Sequence, residues 1–360
     1  MASSDELLPP ADRPIRGRGA SHNPANRFDE IAYVPDESWD PSEDPAPTTQ
    51  FLRDNTKEPL SKNDSPDIPF DVSFNPYRGC EHGCIYCYAR PTHEYLGFSA
   101  GLDFETKIMV KEDAPELLRK RLMSPRYEPK TISISGVTDP YQPVEKRLEL
   151  TRRCLQVFAE FHNPVGIVTK NQLVTRDLDV LRELAHHDAA VVFISLTTLD
   201  VRLNRTLEPR TSLPAQRLRA IETIAEAGVP VGVIMAPIIP GLTDEEIPAV
   251  LGAAANVGAT SAGYVALRLP HAVAPLFERW LDQHYPLRKD RILNRVRDMR
   301  GGELYQAEFG ARMRGEGFFA DQIERLFAVS ASRAGLSRNT HTLSTASFAR
   351  PQQGQMGLFE

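Results

Sequence analysis

Three of the four cysteines in this chain of 360 residues lie within one eight-residue loop, at Cys80, Cys84 and Cys87. Their spacing is Cys-x3-Cys-x2-Cys, and no fourth cysteine lies nearby to complete a ferredoxin-type loop. Thiolates are soft ligands that suit zinc or iron–sulfur clusters. On a [4Fe-4S] cubane, three thiolates leave one iron free to bind a small molecule. The loop therefore predicts a metal centre, either an iron–sulfur cluster or a zinc site.

Residues around the loop extend this prediction. Gly79 and Gly83 let the backbone curl around a cluster, and Tyr86 offers an aromatic face before the third cysteine. His82, His93 and Glu94 flank the loop, either as groups that tune a cluster through hydrogen bonds and charge or as ordinary solvated or core side chains. The fourth cysteine, Cys154, has apolar neighbours at helical spacing and is interpreted as a buried core thiol.

The location of the protein follows from what its sequence lacks. The N-terminus has no apolar segment of the kind found in secretory signals, and no run of eighteen apolar residues occurs. Cysteines in a chain without an export signal favour metal or redox chemistry over disulfides. We therefore expect a cytoplasmic protein with no membrane association.

Composition and charge divide the chain. Residues 1–65 are rich in Pro, Asp, Ser and Asn, and predict a mostly disordered leader that lies over the folded body in places such as Phe28 or Trp39. Residues 1–50 hold ten acidic and four basic side chains, so this segment accounts for the whole net charge of −6. The rest of the chain has equal numbers of acidic and basic side chains, and its charge therefore does not exclude a nucleic-acid partner. We expect a core over 66–285, a helical extension over 286–336 and a flexible tail over 337–360.

Apolar, β-branched runs alternate with stretches of helical periodicity along the core. The runs lie near 70–74, 131–135, 165–169, 191–196, 229–236 and 262–267. The helical stretches lie near 113–123, 144–162, 176–187, 213–227, 243–257 and 271–284. About six β-then-α units predict a parallel sheet wrapped by helices, as a full barrel, a partial barrel or a doubly wound sheet. In each, catalytic groups lie at the carboxyl ends of the strands.

The cysteine loop after the first strand resembles the signature of the radical S-adenosylmethionine (SAM) superfamily. This resemblance implies that the open iron binds the amino and carboxylate groups of SAM. One electron then cleaves SAM to methionine and a 5′-deoxyadenosyl radical, which abstracts hydrogen from a substrate. Segments such as TDPYQPVE, IVTKNQLVTRDLDVL and RMRGEG resemble an uncharacterised bacterial branch similar to spore photoproduct lyase. The resemblance implies a partial (βα)6 TIM-like barrel.

The same resemblance implies a set of SAM contacts. Where the superfamily commonly has Gly-Gly-Glu after the second strand, this chain has Ser135-Gly-Val-Thr-Asp139. Gly136 could allow close backbone approach, and Thr138 or Asp139 could supply oxygens to the SAM ammonium. Lys170 matches the position of a lysine that meets the SAM carboxylate in lyase-like relatives, although a strand-end lysine is otherwise a solvated charge.

Three more contacts lie further along the chain. Ser195 resembles a residue that touches the ribose, and Thr197 points the same way by strand alternation. Arg210 could reach the methionine carboxylate, with a surface ion pair as the alternative. Ile234 would pack on the adenine, or serve only as core.

One expected group is missing. Spore photoproduct lyase places a hydrogen-donor cysteine just after the second strand, and residues 133–140 contain none. The reaction therefore differs, or another donor such as Tyr141 or the substrate itself closes the cycle.

Two segments suggest partners. The basic stretch 287–300 carries an apolar stripe and predicts either a phosphate-tracking helix or a docked helix with a solvated face; 312–319 adds two Arg and a Phe pair. The C-terminus resembles the peptide by which bacterial polymerases and repair enzymes dock on the sliding clamp, through Gln355, Met356, Leu358 and Phe359. An electron donor of the flavodoxin or ferredoxin type is also implied.

These observations support three hypotheses. The first is a radical SAM enzyme that acts on a DNA base, with a lyase or repair reaction. The second is a radical SAM enzyme that modifies RNA, protein or a small molecule. The third is a non-catalytic iron–sulfur or zinc-binding module.

Overall fold

Six parallel strands form the centre of the fold. The computed structural model describes residues 14–29, 47–339 and 341–351. Each apolar run of the core became a strand with its bounds moved by a few residues. The six strands are β3 (Val72–Phe74), β6 (Ile132–Ile134), β7 (Val165–Thr169), β8 (Ala190–Ser195), β9 (Val231–Ile238) and β10 (Ser261–Ala266).

The order of these strands decides the architecture. The six strands lie side by side in the order β3, β6, β7, β8, β9 and β10, which is their order along the chain. The sheet therefore lacks the reversal of strand order that a doubly wound sheet requires. A short antiparallel strand, β2 (Leu60–Lys62), covers the outer edge of β3, while β10 ends the sheet at the other side. The described sheet is therefore open, and the expected partial barrel is confirmed.

Helices pack on the outside of this sheet. Most of them correspond to the predicted helical stretches, of which 144–162 is divided into two helices. The helices Leu102–Thr106 and Val201–Leu207 have no predicted counterpart. The helices of the barrel are α1 (Leu102–Thr106), α2 (Ala114–Met123), α3 (Glu145–Leu148), α4 (Leu150–Glu160), α5 (Leu178–His186), α6 (Val201–Leu207), α7 (Pro214–Glu226), α8 (Ile247–Asn256) and α9 (Val273–His284).

A second, smaller sheet lies beside the cysteine loop. In it β1 (Gln50–Arg53) pairs in parallel with β5 (Lys107–Val110), and β4 (Tyr77–Arg78) pairs with β5 in the opposite direction. The sequence did not suggest this sheet, because its strands are short and lack a clear apolar period.

The prediction of a disordered leader is wrong for the parts that the structure describes. Residues 47–65 supply β1 and β2, and residues 14–29 lie against the cysteine loop and α1. They are held by hydrogen bonds such as that from the Gly19 amide to Glu105 Oε2 of α1 at 3.0 Å. These bonds join backbone amides to distant side chains, so no local apolar pattern reveals them. Phe28 contacts Tyr95 with ring centroids 4.9 Å apart. Trp39 lies outside the described residues.

The predicted flexible tail is also wrong in part. Phe348 packs against Tyr127 and Phe161, with ring centroids 5.8 and 6.2 Å away. Arg350 donates hydrogen bonds to the carbonyls of Leu122, Ser124 and Tyr127 at 2.9–3.2 Å. The clamp-like residues 355–359 lie outside the described part of the chain.

The helical extension comprises α10 (Lys289–Asp298), α11 (Ala311–Arg314) and α12 (Phe318–Arg333). The apolar stripe of α10, formed by Ile292, Val296 and the following Met299, is buried. Arg300 is also buried and donates to the carbonyls of Ala311 and Leu267 at 2.6 and 2.7 Å. The apolar stripe therefore docks this helix on the rest of the fold, and a phosphate partner of its basic face stays a prediction.

None of the helices in the described ranges is long and apolar enough to cross a membrane.

Small residues line part of the barrel interior. Gly232 of β9 pairs with Phe193 of β8 and with Ser261 of β10. A Cβ atom at Gly232 would stand 2.5 Å from the Ser261 hydroxyl and 2.7 Å from the Phe193 ring. Glycine at this position therefore lets the Phe193 ring fill the interior.

Replacing Gly232 with Ala should lower the free energy of unfolding by about 1–3 kcal/mol, because the added methyl overpacks the interior. The matched control is Gly252→Ala on α8, where an added Cβ meets nothing within 4 Å. Because alanine favours the helix more than glycine does, the free energy of unfolding of that control should rise by about 0.5–1 kcal/mol. Urea unfolding of both variants measures the difference, and equal stability would contradict the overpacking argument.

Candidate active site

The cysteine loop begins directly after β4, close to the carboxyl end of the first parallel strand, β3. Gly79 and Gly83 have φ of 77° and 65°, a region that favours glycine and turns the backbone at both sites. The Cys80 amide donates to the Phe104 carbonyl at 2.9 Å, and the Cys87 amide donates to the Cys84 carbonyl at 3.2 Å. The loop is thus held in shape by backbone hydrogen bonds that do not involve the three thiols.

The three thiols form a donor set that fits a [4Fe-4S] cluster. None is in a disulfide, and Cys87 packs against the two apolar clusters that contain Cys84 and Cys80. Burial raises the pKa of the Cys84 thiol well above its ordinary value and that of Cys87 to about 11. In the described residues no three His, Cys, Asp or Glu side chains are grouped around a position for a single metal ion. A cubane takes each thiolate on a different iron, so it does not require such a group.

Asp139, a predicted SAM contact, ties the ends of two strands to the cysteine loop. Its carboxylate accepts hydrogen bonds from the Thr169 hydroxyl at 2.7 Å and the Lys170 amide at 2.8 Å. His82 Nδ1 lies 3.3 Å from its Oδ2 atom. Burial raises the pKa of Asp139, but His82 and these hydrogen bonds outweigh burial and hold it below the ordinary value. Both carboxylate oxygens therefore have protein partners, and the geometry supports a positioning role.

Thr138 and Gly136 are likewise engaged within the protein. The Thr138 hydroxyl donates to the Gly79 carbonyl at 2.6 Å, which joins the second strand's loop to the start of the cysteine loop. Gly136 has a φ of 129°, and its carbonyl accepts a hydrogen bond from the Tyr88 hydroxyl at 2.6 Å. Tyr88 follows the third cysteine and is partly exposed, and the sequence analysis did not select it.

Lys170 lies inside the site and is not a solvated strand-end charge. Its ammonium donates to the Ser195 hydroxyl at 2.6 Å and to the Ala236 carbonyl at 2.9 Å. It also lies 3.2 Å from Oε1 of Glu208 and 5.7 Å from the centre of the Tyr86 ring. The ends of β7, β8 and β9 therefore meet at this one ammonium group.

Ser195 and Thr197 point the same way, as strand alternation predicted. Both hydroxyl oxygens lie within hydrogen-bond distance of the Ala236 carbonyl, at 3.3 and 3.0 Å. Ile234, two residues before Ala236 and therefore on the same side of β9, is partly exposed. These side chains share one face of the strand ends, where a ligand would enter.

Glu208 is the main site residue that the sequence analysis missed. Its carboxylate is fully buried and accepts hydrogen bonds from the Tyr86 hydroxyl, from Thr197 at 2.9 Å and from Asn204 at 3.0 Å. It also pairs with Arg217. Burial raises its pKa, but Arg217 and the Lys170 ammonium outweigh burial and hold the pKa well below the usual range. Of the segment Glu208-Pro-Arg210, the sequence predicts a ligand contact for Arg210 alone.

Arg210 lies at the edge of the site. Its guanidinium is 3.2 Å from Oε1 of Glu81, and its backbone amide donates to the His82 carbonyl at 3.2 Å. Glu81 belongs to the cysteine loop and is buried. The ion-pair alternative therefore describes Arg210 in this structure, where it braces the loop.

Other candidates lie away from the strand ends. Tyr141 is fully buried in the core, where burial and the neighbouring Asp177 raise the pKa of its phenol, and its role as hydrogen donor stays a prediction. His93 is buried, with Nε2 2.9 Å from the Lys107 carbonyl, and Glu94 pairs with Arg27. The prediction of Cys154 as a core thiol is confirmed by its complete burial on α4.

The fold and this site define a radical SAM enzyme. The family model of the Radical SAM superfamily matches residues 74–254, and the chain belongs to this superfamily. The superfamily implies a [4Fe-4S] cluster and SAM as cofactors.

Several known proteins are similar to this chain. An uncharacterized protein of Mycobacterium tuberculosis is 37% identical over 234 residues, which covers 64% of this chain and 68% of the relative. An uncharacterized protein of Methanocaldococcus jannaschii is 26% identical over 247 residues, covering 69% and 88%. A mutant of spore photoproduct lyase with bound AdoMet and dinucleoside spore photoproduct has the same fold, with a TM-score of 0.58, 16% identity and coverage of 81% and 82%.

Replacing Glu208 with Gln should lower the free energy of unfolding by about 2–5 kcal/mol at neutral pH, because Arg217 and Lys170 lose a buried counter-charge. The loss should shrink progressively as the pH falls below the ordinary carboxyl pKa of 4.5, since the stabilisation from the depressed pKa of Glu208 is complete above that value and fades as the pH approaches the lower pKa of the folded state. Urea unfolding across pH measures this dependence. The exposed Glu222→Gln on α7 is the matched control, and a pH-independent loss would contradict the charge argument.

Proposed function

We propose that this radical SAM enzyme abstracts a hydrogen atom from a DNA base in a lyase-type or repair-type reaction. The observation that supports it most is the meeting of the three-cysteine loop with the Lys170 network at the carboxyl ends of the parallel strands. Parallel barrels place their reactive groups at this edge. The likeness in fold to a lyase solved with a dinucleoside photoproduct makes nucleic acid the first substrate class to test.

When bound, the cluster and SAM would supply a 5′-deoxyadenosyl radical for hydrogen abstraction. Cys80, Cys84 and Cys87 would hold the cluster as thiolates. Lys170 is the proposed partner of the SAM carboxylate and Ser195 of the ribose, while Ile234 would pack on the adenine. Tyr86 and Glu208 hold the Lys170 ammonium in place, since their contacts with it are buried. The chain's own residues thus bind and orient the cofactors.

An arginine at the rim supports an anionic substrate. Arg268 follows β10, and its guanidinium carbon lies 5.0 Å from the centre of the Tyr88 ring. Its Nη1 atom lies 3.5 Å from the Met313 sulfur, and its buried Nε has no hydrogen-bond partner in the described part of the chain. Because Tyr88 adjoins the third cysteine, this cation stands close to the reaction centre. The guanidinium itself is partly exposed, and its terminal nitrogens would donate to a phosphate of DNA.

Two partners stay proposals. Docking on the sliding clamp through Gln355, Met356, Leu358 and Phe359 would place the enzyme near replicating DNA. A donor of the flavodoxin or ferredoxin type would reduce the cluster.

Anaerobically reconstituted wild-type protein should release 5′-deoxyadenosine from SAM on reduction with dithionite, and Cys84→Ala should abolish both cluster absorbance and release. Loss of a cluster thiolate removes one of only three protein ligands. The matched control is Cys154→Ala, which removes a core thiol and should keep the cluster. A wild-type protein that binds zinc but no iron would contradict the proposed chemistry.

Arg268→Gln should weaken DNA binding several-fold and lower the salt dependence by about one released counterion, because one phosphate contact is lost. Fluorescence anisotropy with damaged and undamaged duplexes at several salt concentrations measures both effects. Arg325→Gln, on the exposed face of α12, is the control. Identical DNA binding by the two variants would contradict the proposed phosphate contact. Transfer of an isotopic label between SAM and RNA, protein or a metabolite would instead indicate a substrate other than DNA.

A further inference from the structure

Residues 17–28, here called the N-terminal strap, lie directly on the cysteine loop. Gly19 packs so closely that a Cβ atom there would overlap the Gly83 carbonyl oxygen and stand 3.2 Å from the Ile85 amide. Ala20 is buried in one apolar cluster with Cys84 and Ile85. The strap therefore touches the loop backbone to backbone, without room for a larger residue at position 19.

A buried carboxylate joins the strap to the core of the site. Glu105 of α1 accepts hydrogen bonds from the amides of Gly19 at 3.0 Å and Ala20 at 2.8 Å. The same carboxylate pairs with Arg90 at 2.5 Å, and neither side chain has exposed surface. A buried ion pair is tolerated only when further hydrogen bonds satisfy it. Here the strap amides supply those bonds.

Arg90 continues this connection to the cluster loop. Its Nε atom donates to the Cys84 carbonyl at 3.0 Å, and its Nη1 atom donates to the carbonyls of Ala100 and Gly101 at 3.1 and 2.9 Å. An unbroken path of hydrogen bonds therefore runs from the strap amides through Glu105 and Arg90 to the backbone of the second cysteine.

The strap is fastened at both ends. At one end, Arg18 donates to the Pro47 carbonyl at 2.9 Å and to the Glu105 carbonyl at 3.1 Å. At the other, Arg27 Nε lies 2.7 Å from Oε2 of Glu94, whose side chain is fully buried. Asn26 donates to the carbonyls of Glu94 and Phe98 at 2.9 and 3.2 Å. Glu94 belongs to the short helix Arg90–Leu96 that follows the third cysteine.

We propose that the N-terminal strap shields and positions the cysteine loop of the cluster site. It covers the outer side of the cysteine loop, limits the access of water and oxygen, and keeps the Glu105–Arg90 pair aligned on the Cys84 carbonyl. Glu105 and Arg90 are positioning residues, since they act through the backbone of a cluster ligand. Hydrogen bonds and solvent exposure are the features by which a protein tunes such a cluster. The inference rests on the cluster of the proposed function.

The cover is tested with Gly19→Ala and Arg27→Gln, which loosen the strap at its centre and at one end. Their controls are Gly252→Ala and Arg325→Gln, both remote from the loop. Each protein is loaded anaerobically, and the decay of cluster absorbance in air is followed. We expect decay about tenfold faster in the strap variants, because the rate follows the fraction of time that the cover is open. Because Arg27 is partly exposed, we expect Arg27→Gln to fold even if Gly19→Ala does not. The Arg27→Gln variant therefore still tests the cover.

The positioning role is tested with Glu105→Gln, with Glu222→Gln as control. The electron paramagnetic resonance spectrum of the reduced cluster should change in Glu105→Gln alone, while thermal unfolding of the iron-free proteins reports any general loss of fold. Equal decay rates in strap and control variants, together with unchanged spectra, would overturn the inference. A wild-type protein that never takes up iron would instead overturn the proposed function, so the two failures are distinguishable.

Discussion

The buried carboxylate of Glu208 is the interaction on which the geometry of the site depends. It has no exposed surface, so it persists as an anion only because Arg217 and Lys170 neutralise it. Its other partners include Tyr86 of the cysteine loop and Thr197 beyond β8. Because each partner comes from a different element, the carboxylate fixes the cysteine loop relative to the carboxyl ends of the middle strands.

The parallel sheet makes this meeting possible. Strands that run side by side in chain order bring all their carboxyl ends to one edge, so groups separated by more than a hundred residues become neighbours. Asp139 uses the same geometry when it ties the loop after β6 to the end of β7 and to His82. The cysteine loop is thereby braced from the barrel side by two buried carboxylates, and from the outer side by the strap through Glu105.

Much of the fold was predictable because its signals are local. Apolar periodicity located the six parallel strands and most helices within a few residues, and cysteine spacing located the loop that brings three thiols to the strand ends. The leader was misjudged for the opposite reason. Its ordered part is held by amides that bond to Glu105 and by single side chains such as Arg27, and neither leaves a periodic trace in the sequence.

By itself, the sequence determined the chemistry of the donor set and the order of the β-then-α units, since both depend on residue type and short spacing. Only the tertiary structure decided which polar groups face a ligand and which satisfy one another. Thr138 and Asp139 have their oxygens bound within the protein, while Lys170 stands in the site with a counter-ion the sequence did not suggest. The reason is physical: buried charges choose partners by proximity in space, and that proximity exists only after the strands have assembled.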